Sequence, residues 1–409
     1  MENLVNTGLN TGRSRLTMSH SANAQFEMKP QSDNSFGSVY CNKRVLITGH
    51  TGFKGSWLAE WLLALGAEVT GFSLAVANQP SLFDELGLSR RLRHQVGDIR
   101  DLAAMKRMVA EFKPDYVFHL AAQSLVRPSY AEPVETFATN ILGTVHILEA
   151  IRLAEIPCSI VAVTSDKCYE NREWLHSYRE TDPLGGHDPY SCSKAAAELV
   201  IDSYRRAYFS QPIGTVHLAS ARAGNVLGGG DWAQDRIVPD SVRSLTRGEP
   251  IPVRNRRSRR PWQHVLEPLS GYLRLGACLN NRRAASAAEL PESFRSSEVA
   301  AAFNFGPAIA SNRTVAELVQ EFLKHWHGSW EDRSSPAAAH EAQSLNLASE
   351  KAYRLLGWRP VWSFERTIEL TAQWYLETKN SPTIAREITN RQINEYLVDA
   401  RQQGITWVG

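Results

Sequence analysis

Two hydrophobic rhythms alternate along the chain, and their alternation predicts the architecture. Short apolar runs of strand type occur at Arg44–Thr48, Glu68–Leu74, Tyr116–Leu120, Ser159–Thr164 and Thr215–Ala223. Between them apolar residues recur at helical spacing. Trp57, Leu58, Trp61, Leu62 and Leu65 share one face of a helix predicted from Ser56 to Leu65, and further helices are predicted over Ala103–Phe112, Val134–Ala154 and Tyr190–Phe209. A weak third strand precedes Gly97. Strand and helix in turn imply an α/β fold of Rossmann type, a parallel sheet wound on both faces.

After Gly230 the rhythm loosens. Asn255–Arg260 is crowded with arginine, and Asn280–Ala302, rich in Ala, Ser, Glu and Arg, reads as a surface insertion. Phe303-Asn-Phe305 is a strand followed by a Gly306-Pro307 turn, and Thr314–Trp326 is a helix with Val315, Leu318, Val319 and Phe322 on one face. The expected organisation is a tail over 1–41, an NAD-binding Rossmann domain over 42–230, mainly a smaller substrate-binding lobe over 231–380 with room for a strand to return to the sheet, and a C-terminal tail over 381–409. The first stretch is rich in Asn, Ser, Thr and Gly, with too little apolar surface to offset the entropy of ordering, so disorder is expected there. It lacks the apolar block of a secretory signal, and Met18 and Met28 leave a downstream start open.

Composition narrows the class. A chain of 409 residues with 43% hydrophobic positions holds one large α/β domain with a smaller lobe, or two modest domains. The formal net charge of +2 creates no global field for nucleic acid or an anionic membrane. No apolar run reaches the roughly 18 residues needed to span a bilayer. Cys41, Cys158, Cys168, Cys192 and Cys278 are odd in number, irregularly spaced and without a C-x-x-C, which argues against a disulfide framework or a zinc site. A reduced, cytoplasmic protein without a metal is expected.

The candidate chemistry begins at Thr48-Gly-His-Thr-Gly-Phe-Lys-Gly55, between the first strand and the first helix. Gly49, Gly52 and Gly55 allow a tight turn and close approach to a pyrophosphate, which the free N–H groups of the helix N-terminus then attract. The strand–turn–helix context is what gives such a glycine triplet meaning. The second strand ends Gly71-Phe-Ser-Leu-Ala75, with neither the acid nor the arginine that separates NAD from NADP. Asp98, beside Ile99, is read either as an acceptor for the adenine amino group or as a helix cap.

Tyr190-Ser-Cys-Ser-Lys194 places a phenol and an ammonium on one helical face. A tyrosine with a pKa of about 10 needs roughly 4 kcal/mol of differential stabilisation to act as a base near neutrality, and a nearby cation favours the phenolate. These residues resemble the extended short-chain dehydrogenase/reductase superfamily. The resemblance implies cofactor contacts from Phe53, Asp98, Ile99, the Leu120-Ala121-Ala122 backbone, Asn140, Tyr190 and Lys194, with Asn140 also shaping a structural turn. It implies substrate contacts from Ser124, Asn225, Arg236 and Arg260, the last three facing a diphosphate.

Val163-Thr-Ser165-Asp166-Lys167-Cys-Tyr169 narrows the class further. Simple reductases and epimerases need only a hydroxyl at Ser165. An acid after it can protonate a departing hydroxide, which is otherwise a poor leaving group. Taken alone, the Asp166-Lys167 pair would read as a loop salt bridge. With Gly49-His-Thr-Gly-Phe-Lys-Gly-Ser-Trp57, Arg172-Glu-Trp174, Arg222-Ala-Gly-Asn-Val, Gly228-Gly-Gly-Asp-Trp232 and Arg260-Pro-Trp-Gln-His-Val-Leu-Glu-Pro268, the chain resembles the CDP-glucose 4,6-dehydratase family from about Lys43 to the Trp358 region. The family implies NAD as cofactor, CDP-glucose as substrate, and a homodimer or homotetramer serving surface polysaccharide such as O-antigen. Tyr190 would deprotonate the 4-hydroxyl with Ser165 hydrogen-bonded to it. Lys167, or a group it activates, would take the carbon-5 proton, and Asp166 would protonate the 6-hydroxyl. A lysine ordinarily charged at pH 7 must first lose proton affinity for that role. The rival readings are a dehydratase for another nucleotide, a 4-epimerase, and a non-catalytic cofactor sensor.

Overall fold

Seven parallel strands form the centre of the computed structural model, which describes residues 34–76, 79–209, 216–281, 298–334 and 345–409. They are β1 (Arg44–Thr48), β2 (Glu68–Ser73), β3 (Arg93–Val96), β4 (Tyr116–His119), β5 (Cys158–Val163), β6 (Val216–Arg222) and β7 (Ala302–Asn304), in the order β7-β6-β5-β4-β1-β2-β3. The order reverses between β1 and β4, which are hydrogen-bonded neighbours, and a crevice opens at such a reversal beyond the carboxyl ends of the strands. Alternation along each strand feeds both faces: Val45 and Ile47 enter one core, and Leu46 enters the other. The first core is covered by α1 (Phe53–Ala64) and the second by α2 (Leu102–Phe112), α3 (Gly143–Ala154) and α4 (Pro189–Ala207).

The later part of the chain supplies α5 (Ile237–Thr246), α6 (Leu266–Asn281), α7 (Val315–His325), α8 (Phe364–Thr378) and α9 (Ala385–Gln402). α6 lies on the first core together with α1, so Leu269, Tyr272 and Leu273 pack beside Trp57 and Trp61. β7, reached only after α6, pairs with β6 through Ala302–Ser220, Phe303–Ala221 and Asn304–Arg222.

Four expectations change. The single helix drawn over Val134–Ala154 is interrupted: Pro133–Phe137 is followed by a π-turn over Ala138–Leu142, where Asn140 directs its amide to the backbone of Gln123. The tail drawn to residue 41 ends earlier. Phe36 is only 2% exposed and stacks on Trp407 with ring centroids 4.8 Å apart, and the Tyr40 hydroxyl donates to the Leu273 carbonyl at 2.5 Å. Average composition concealed these two aromatic anchors; residues 1–33, with Met18 and Met28, lie outside the described residues. The stretch 381–409 is no tail, because α9 buries Ile388, Ile393 and Tyr396, and its Asn390 donates to Glu60 of α1 at 2.8 Å. Of the expected insertion, 282–297 lies outside the described residues, while its first residues end α6.

Candidate active site

β1 runs straight into the glycine turn. Gly49 has φ +79°, and a Cβ there would lie 2.7 Å from the Ala121 nitrogen; a Cβ on Gly55 would lie 2.2 Å from the Gly49 carbonyl. Only glycine tolerates either position, so the turn is forced to lie flat against the chain after β4. Leu120 N–H donates to the Thr48 carbonyl at 3.0 Å and Ala121 N–H to Thr48 Oγ1 at 3.3 Å, while Ala122 is half-buried beside them. Gly52 caps α1 without a side-chain hydrogen bond, which leaves the first N–H groups of the helix, at Phe53 and Lys54, for an anion. A cradle that excludes side chains and aims free donors outward fits a dinucleotide pyrophosphate.

At the edge of this cradle Thr51 and Ser73 share a hydrogen bond of 2.7 Å, and no charge stands at the end of β2. Asp98 does not cap α2; Asp101 does, accepting from Ala104 N–H at 3.0 Å. The Asp98 carboxylate is instead forked by Arg100, whose Nε lies 2.9 Å and Nη2 2.6 Å from Oδ2, and this pairing holds its pKa below the usual carboxylate range. Ile99 is buried against Gly143, so only its backbone remains for a ligand, and its carbonyl already accepts from His146 at 3.0 Å. Both ends of the Asn140 amide are used within the protein: Oδ1 accepts from Gln123 N–H at 2.8 Å, and Nδ2 donates to Gln123 O at 3.0 Å and Ser193 Oγ at 2.8 Å. Asn140 thus shapes the turn after β4 and ties it to α4.

The catalytic candidates meet where β5 ends. Ser165 donates to Asp166 Oδ1 at 2.9 Å and accepts from Lys167 N–H at 3.2 Å, closing a 3₁₀ turn over Asp166–Cys168. Asp166 is 4% exposed and presses on Gly224, where a Cβ would come within 2.5 Å of Oδ2. Lys167 is half-buried. Asp188 caps α4 by accepting from Ser191 N–H at 2.9 Å, so Tyr190 and Lys194 project from its first turns, both buried. Burial pushes the Tyr190 hydroxyl up to about 12, against the smaller downward pull of a hydrogen bond with Ser165 and of the Arg236 guanidinium. Helical spacing pointed to Lys194 as the cation acting on the phenol; the fold adds the charge of Arg236, which lowers the phenol's pKa. Lys194 is itself brought down to about 8 by burial, with Glu198 acting in the opposite sense.

One turn beyond Lys194, Glu198 anchors a buried network. It accepts from Arg222 Nη2 and Ser220 Oγ, each at 2.8 Å, and from the Thr164 hydroxyl; Arg222 Nη1 also donates to Tyr169 Oη at 2.7 Å. Burial alone would raise the Glu198 pKa, but Arg222 and these hydrogen bonds hold it below the usual range.

The substrate candidates are dispersed. Ser124 is exposed on the loop after β4. Asn225 follows Gly224 beside Asp166, and its carbonyl accepts from Gln263 N–H at 3.3 Å. Arg236 pairs with Asp231 at 2.8 Å while acting on Tyr190. Arg260 lies on a short strand paired with Asn312–Thr314, and its Nη1 donates to the Arg259 carbonyl at 2.7 Å. Three residues at the centre escaped sequence reasoning. Glu198 had a signal, four residues after Lys194 on the same helical face. Lys54 was counted only as a member of the glycine turn. Tyr272 had no local signal.

A model of the family described as GDP-mannose 4,6 dehydratase matches residues 46–371. The chain belongs to this family. It is 44% identical to the CDP-glucose 4,6-dehydratase of Salmonella typhimurium, over 81% of this chain and 90% of that protein. It is 25% identical to the dTDP-glucose 4,6-dehydratase of Neisseria gonorrhoeae, over 82% and 96%. Among solved structures, the dTDP-glucose 4,6-dehydratase DesIV of Streptomyces venezuelae, with NAD and TYD bound, superposes with a TM-score of 0.69 at 26% identity, covering 82% of this chain and 98% of that one. Among the described residues no helix is long and apolar enough to cross a membrane, and no cluster of His, Cys, Asp and Glu could hold a metal ion.

Proposed function

We propose that this chain is an NAD-dependent CDP-glucose 4,6-dehydratase that converts CDP-D-glucose to CDP-4-keto-6-deoxy-D-glucose. The observation that carries the reading is a buried acid, Asp166, hydrogen-bonded to Ser165 in the surroundings of Tyr190. An epimerase has no use for an acid there, whereas expulsion of a hydroxyl requires one. The intact pair Tyr190 and Lys194 weighs against a non-catalytic sensor. Identity of 44% to a CDP-glucose enzyme supports the nucleotide.

The glycine cradle, with Phe53, Ala121 and Ala122 around it, holds the dinucleotide. When bound, the oxidised nicotinamide supplies the hydride acceptor for carbon 4, the later donor to carbon 6, and a positive charge beside the phenol. Tyr190 takes the proton of the 4-hydroxyl, and Ser165 orients it. The new ketone acidifies carbon 5. A lysine amine takes that proton, Lys167 being the residue drawn from the family resemblance, and Asp166 protonates the departing 6-hydroxyl. Arg236, Asn225 and Arg260 contact the diphosphate, and Ser124 the sugar. The enzyme works in the cytoplasm as a homodimer or homotetramer and supplies a 4-keto-6-deoxy sugar for surface polysaccharide such as O-antigen.

The test is incubation with CDP-glucose, dTDP-glucose and GDP-mannose under one condition, following loss of water by mass spectrometry and comparing kcat/KM. CDP-glucose is expected to lead by a large factor, because a site built for cytosine's amino group leaves polar groups unpaired against thymine, at a cost of up to about 10⁴-fold or more. Equal values for CDP-glucose and dTDP-glucose would remove the CDP assignment. Loss of water from none of the three would remove the dehydratase reading itself.

A further inference from the structure

The turn that carries Ser165, Asp166 and Lys167 is fastened at both ends to one buried ion pair. At its near end the Thr164 hydroxyl donates to Glu198 of α4. At its far end the Tyr169 hydroxyl accepts from Arg222 Nη1 and donates to Asn304 Oδ1, each at 2.7 Å. Glu198 and Arg222 close the circuit with each other at 2.8 Å. Only Ser165 to Cys168 lie between the two anchors, and both anchors are buried.

The partners of Tyr169 are themselves held in place. Asn304, on β7, spends Nδ2 on the Tyr178 carbonyl at 2.9 Å, which turns Oδ1 toward Tyr169. Arg222 divides its guanidinium: Nη2 goes to Glu198, and Nη1 goes to Tyr169 and to the Glu180 carbonyl at 3.1 Å. Its chain runs on into Ala223, whose carbonyl accepts from Asp166 N–H at 3.3 Å, and into Gly224, where a side chain would collide with the Asp166 carboxylate. Glu198 stands on the helix that carries Tyr190 and Lys194. One buried network therefore joins the turn bearing the acid to the helix bearing the phenol.

We propose that Tyr169 is a positioning residue for the elimination step: through Arg222 and Asn304 its hydroxyl fixes the turn, so that Asp166 and Lys167 stand where the 6-hydroxyl departs. The proposal rests on the dehydratase reading above. Tyr169 is buried and acts only through its neighbours, and Asp166 and Lys167 keep their chemical roles.

Placement of a reacting group matters steeply, a shift of about 1 Å costing up to about 10²-fold in rate. The phenol has anchors of its own: Asp188 caps α4, and Tyr190 N–H donates to Ser129 Oγ at 3.2 Å. Loss of the Tyr169 hydroxyl therefore loosens the acid side of the site and leaves the phenol side in place. Oxidation at carbon 4 continues while expulsion of the 6-hydroxyl slows.

The test is Tyr169→Phe in the holoenzyme. The variant keeps the ring, stacked on Tyr178 with centroids 5.2 Å apart, and the backbone bonds of the segment, from Gly185 N–H to the Cys168 carbonyl at 2.9 Å and from Glu170 N–H to the Pro183 carbonyl at 3.0 Å. With CDP-glucose it is expected to build up the absorbance of reduced nicotinamide while losing water about 10–10²-fold more slowly than the parent. Thr164→Val, which removes the hydroxyl at the other anchor, is expected to slow loss of water as well. Parent-like loss of water in Tyr169→Phe would overturn the proposal. So would an equal fall in oxidation and water loss, because the hydroxyl would then serve general stability alone. A further readout does not depend on turnover: amide hydrogen exchange of the holoenzyme without substrate is expected to quicken in the peptide spanning 164–169 and to stay unchanged across Tyr190–Lys194. Unchanged exchange over 164–169 would also overturn it. If the parent enzyme dehydrates no nucleotide-sugar, the dehydratase reading fails instead, and the exchange measurement still decides whether the hydroxyl holds the turn.

Discussion

Replacing Glu198 by alanine removes the acceptor at the centre of the network behind Lys194. The side chains of Arg222 and Glu198 are only 4% and 2% exposed, so the guanidinium left behind cannot recover its lost partner from water. Breaking a buried pair in this way costs about 3–5 kcal/mol. The hydroxyls of Ser220 and Thr164 lose an acceptor as well, each worth up to a further ~1 kcal/mol where no other partner is found. Against a total stability of about 5–15 kcal/mol, the variant is expected to be severely weakened. Guanidinium denaturation with linear extrapolation measures the loss. The double variant Glu198→Met, Arg222→Met removes the orphaned charge and is expected to lie closer to the parent than Glu198→Ala does. The pH dependence has a defined sign. The Glu198 pKa is depressed by folding, so its contribution is present above the unfolded carboxylate value of about 4.3 and is lost as pH falls through the lower folded value. A loss under about 1 kcal/mol at pH 7, or a double variant less stable than Glu198→Ala, would refute the account of this network.

Phe36→Ala is expected to cost about 3–4 kcal/mol, the price of a large cavity between Trp61 and Trp407, and thermal melting beside the parent checks it; an unchanged midpoint would show that the segment does not pack. Three buried histidines, His50, His119 and His264, have pKa values lowered to about 4, 3 and 3, first by burial. Folding depresses them, so their contribution is complete above the unfolded value of about 6.5 and falls as pH drops toward 4 and below; His50→Asn is expected to flatten the decline in melting temperature between pH 6.5 and 4. Tyr190→Phe is expected to keep the melting temperature and cofactor affinity while lowering turnover by at least about 10²-fold, and near-parent turnover would dismiss Tyr190 as the proton carrier.

The readable parts of this protein are those whose physical requirement is local. A glycine turn between strand and helix needs glycines at set spacings, and Gly49, Gly52 and Gly55 stand there. Tyr190 and Lys194 share a helical face because helical geometry places them so, and Ser165, Asp166 and Lys167 are consecutive. The short apolar runs of β1, β4 and β5, set between helices, likewise announced a sheet buried on both sides. Tertiary structure decided what depends on contacts between distant segments. Phe36 and Tyr40 sit in a polar stretch, and only Trp407 and Leu273, from the other end of the chain and from α6, make them core residues. α9 is polar on average, and the α1 and α8 surfaces it covers give it order. Arg236 acts on Tyr190 because the chain after β6 folds back over the end of β5. Tyr272 shows the same limit most plainly: its position has no chemical pattern around it, and the burial that raises its proton affinity and leaves its hydroxyl without a partner exists only once α1 and α6 pack on one face of the sheet.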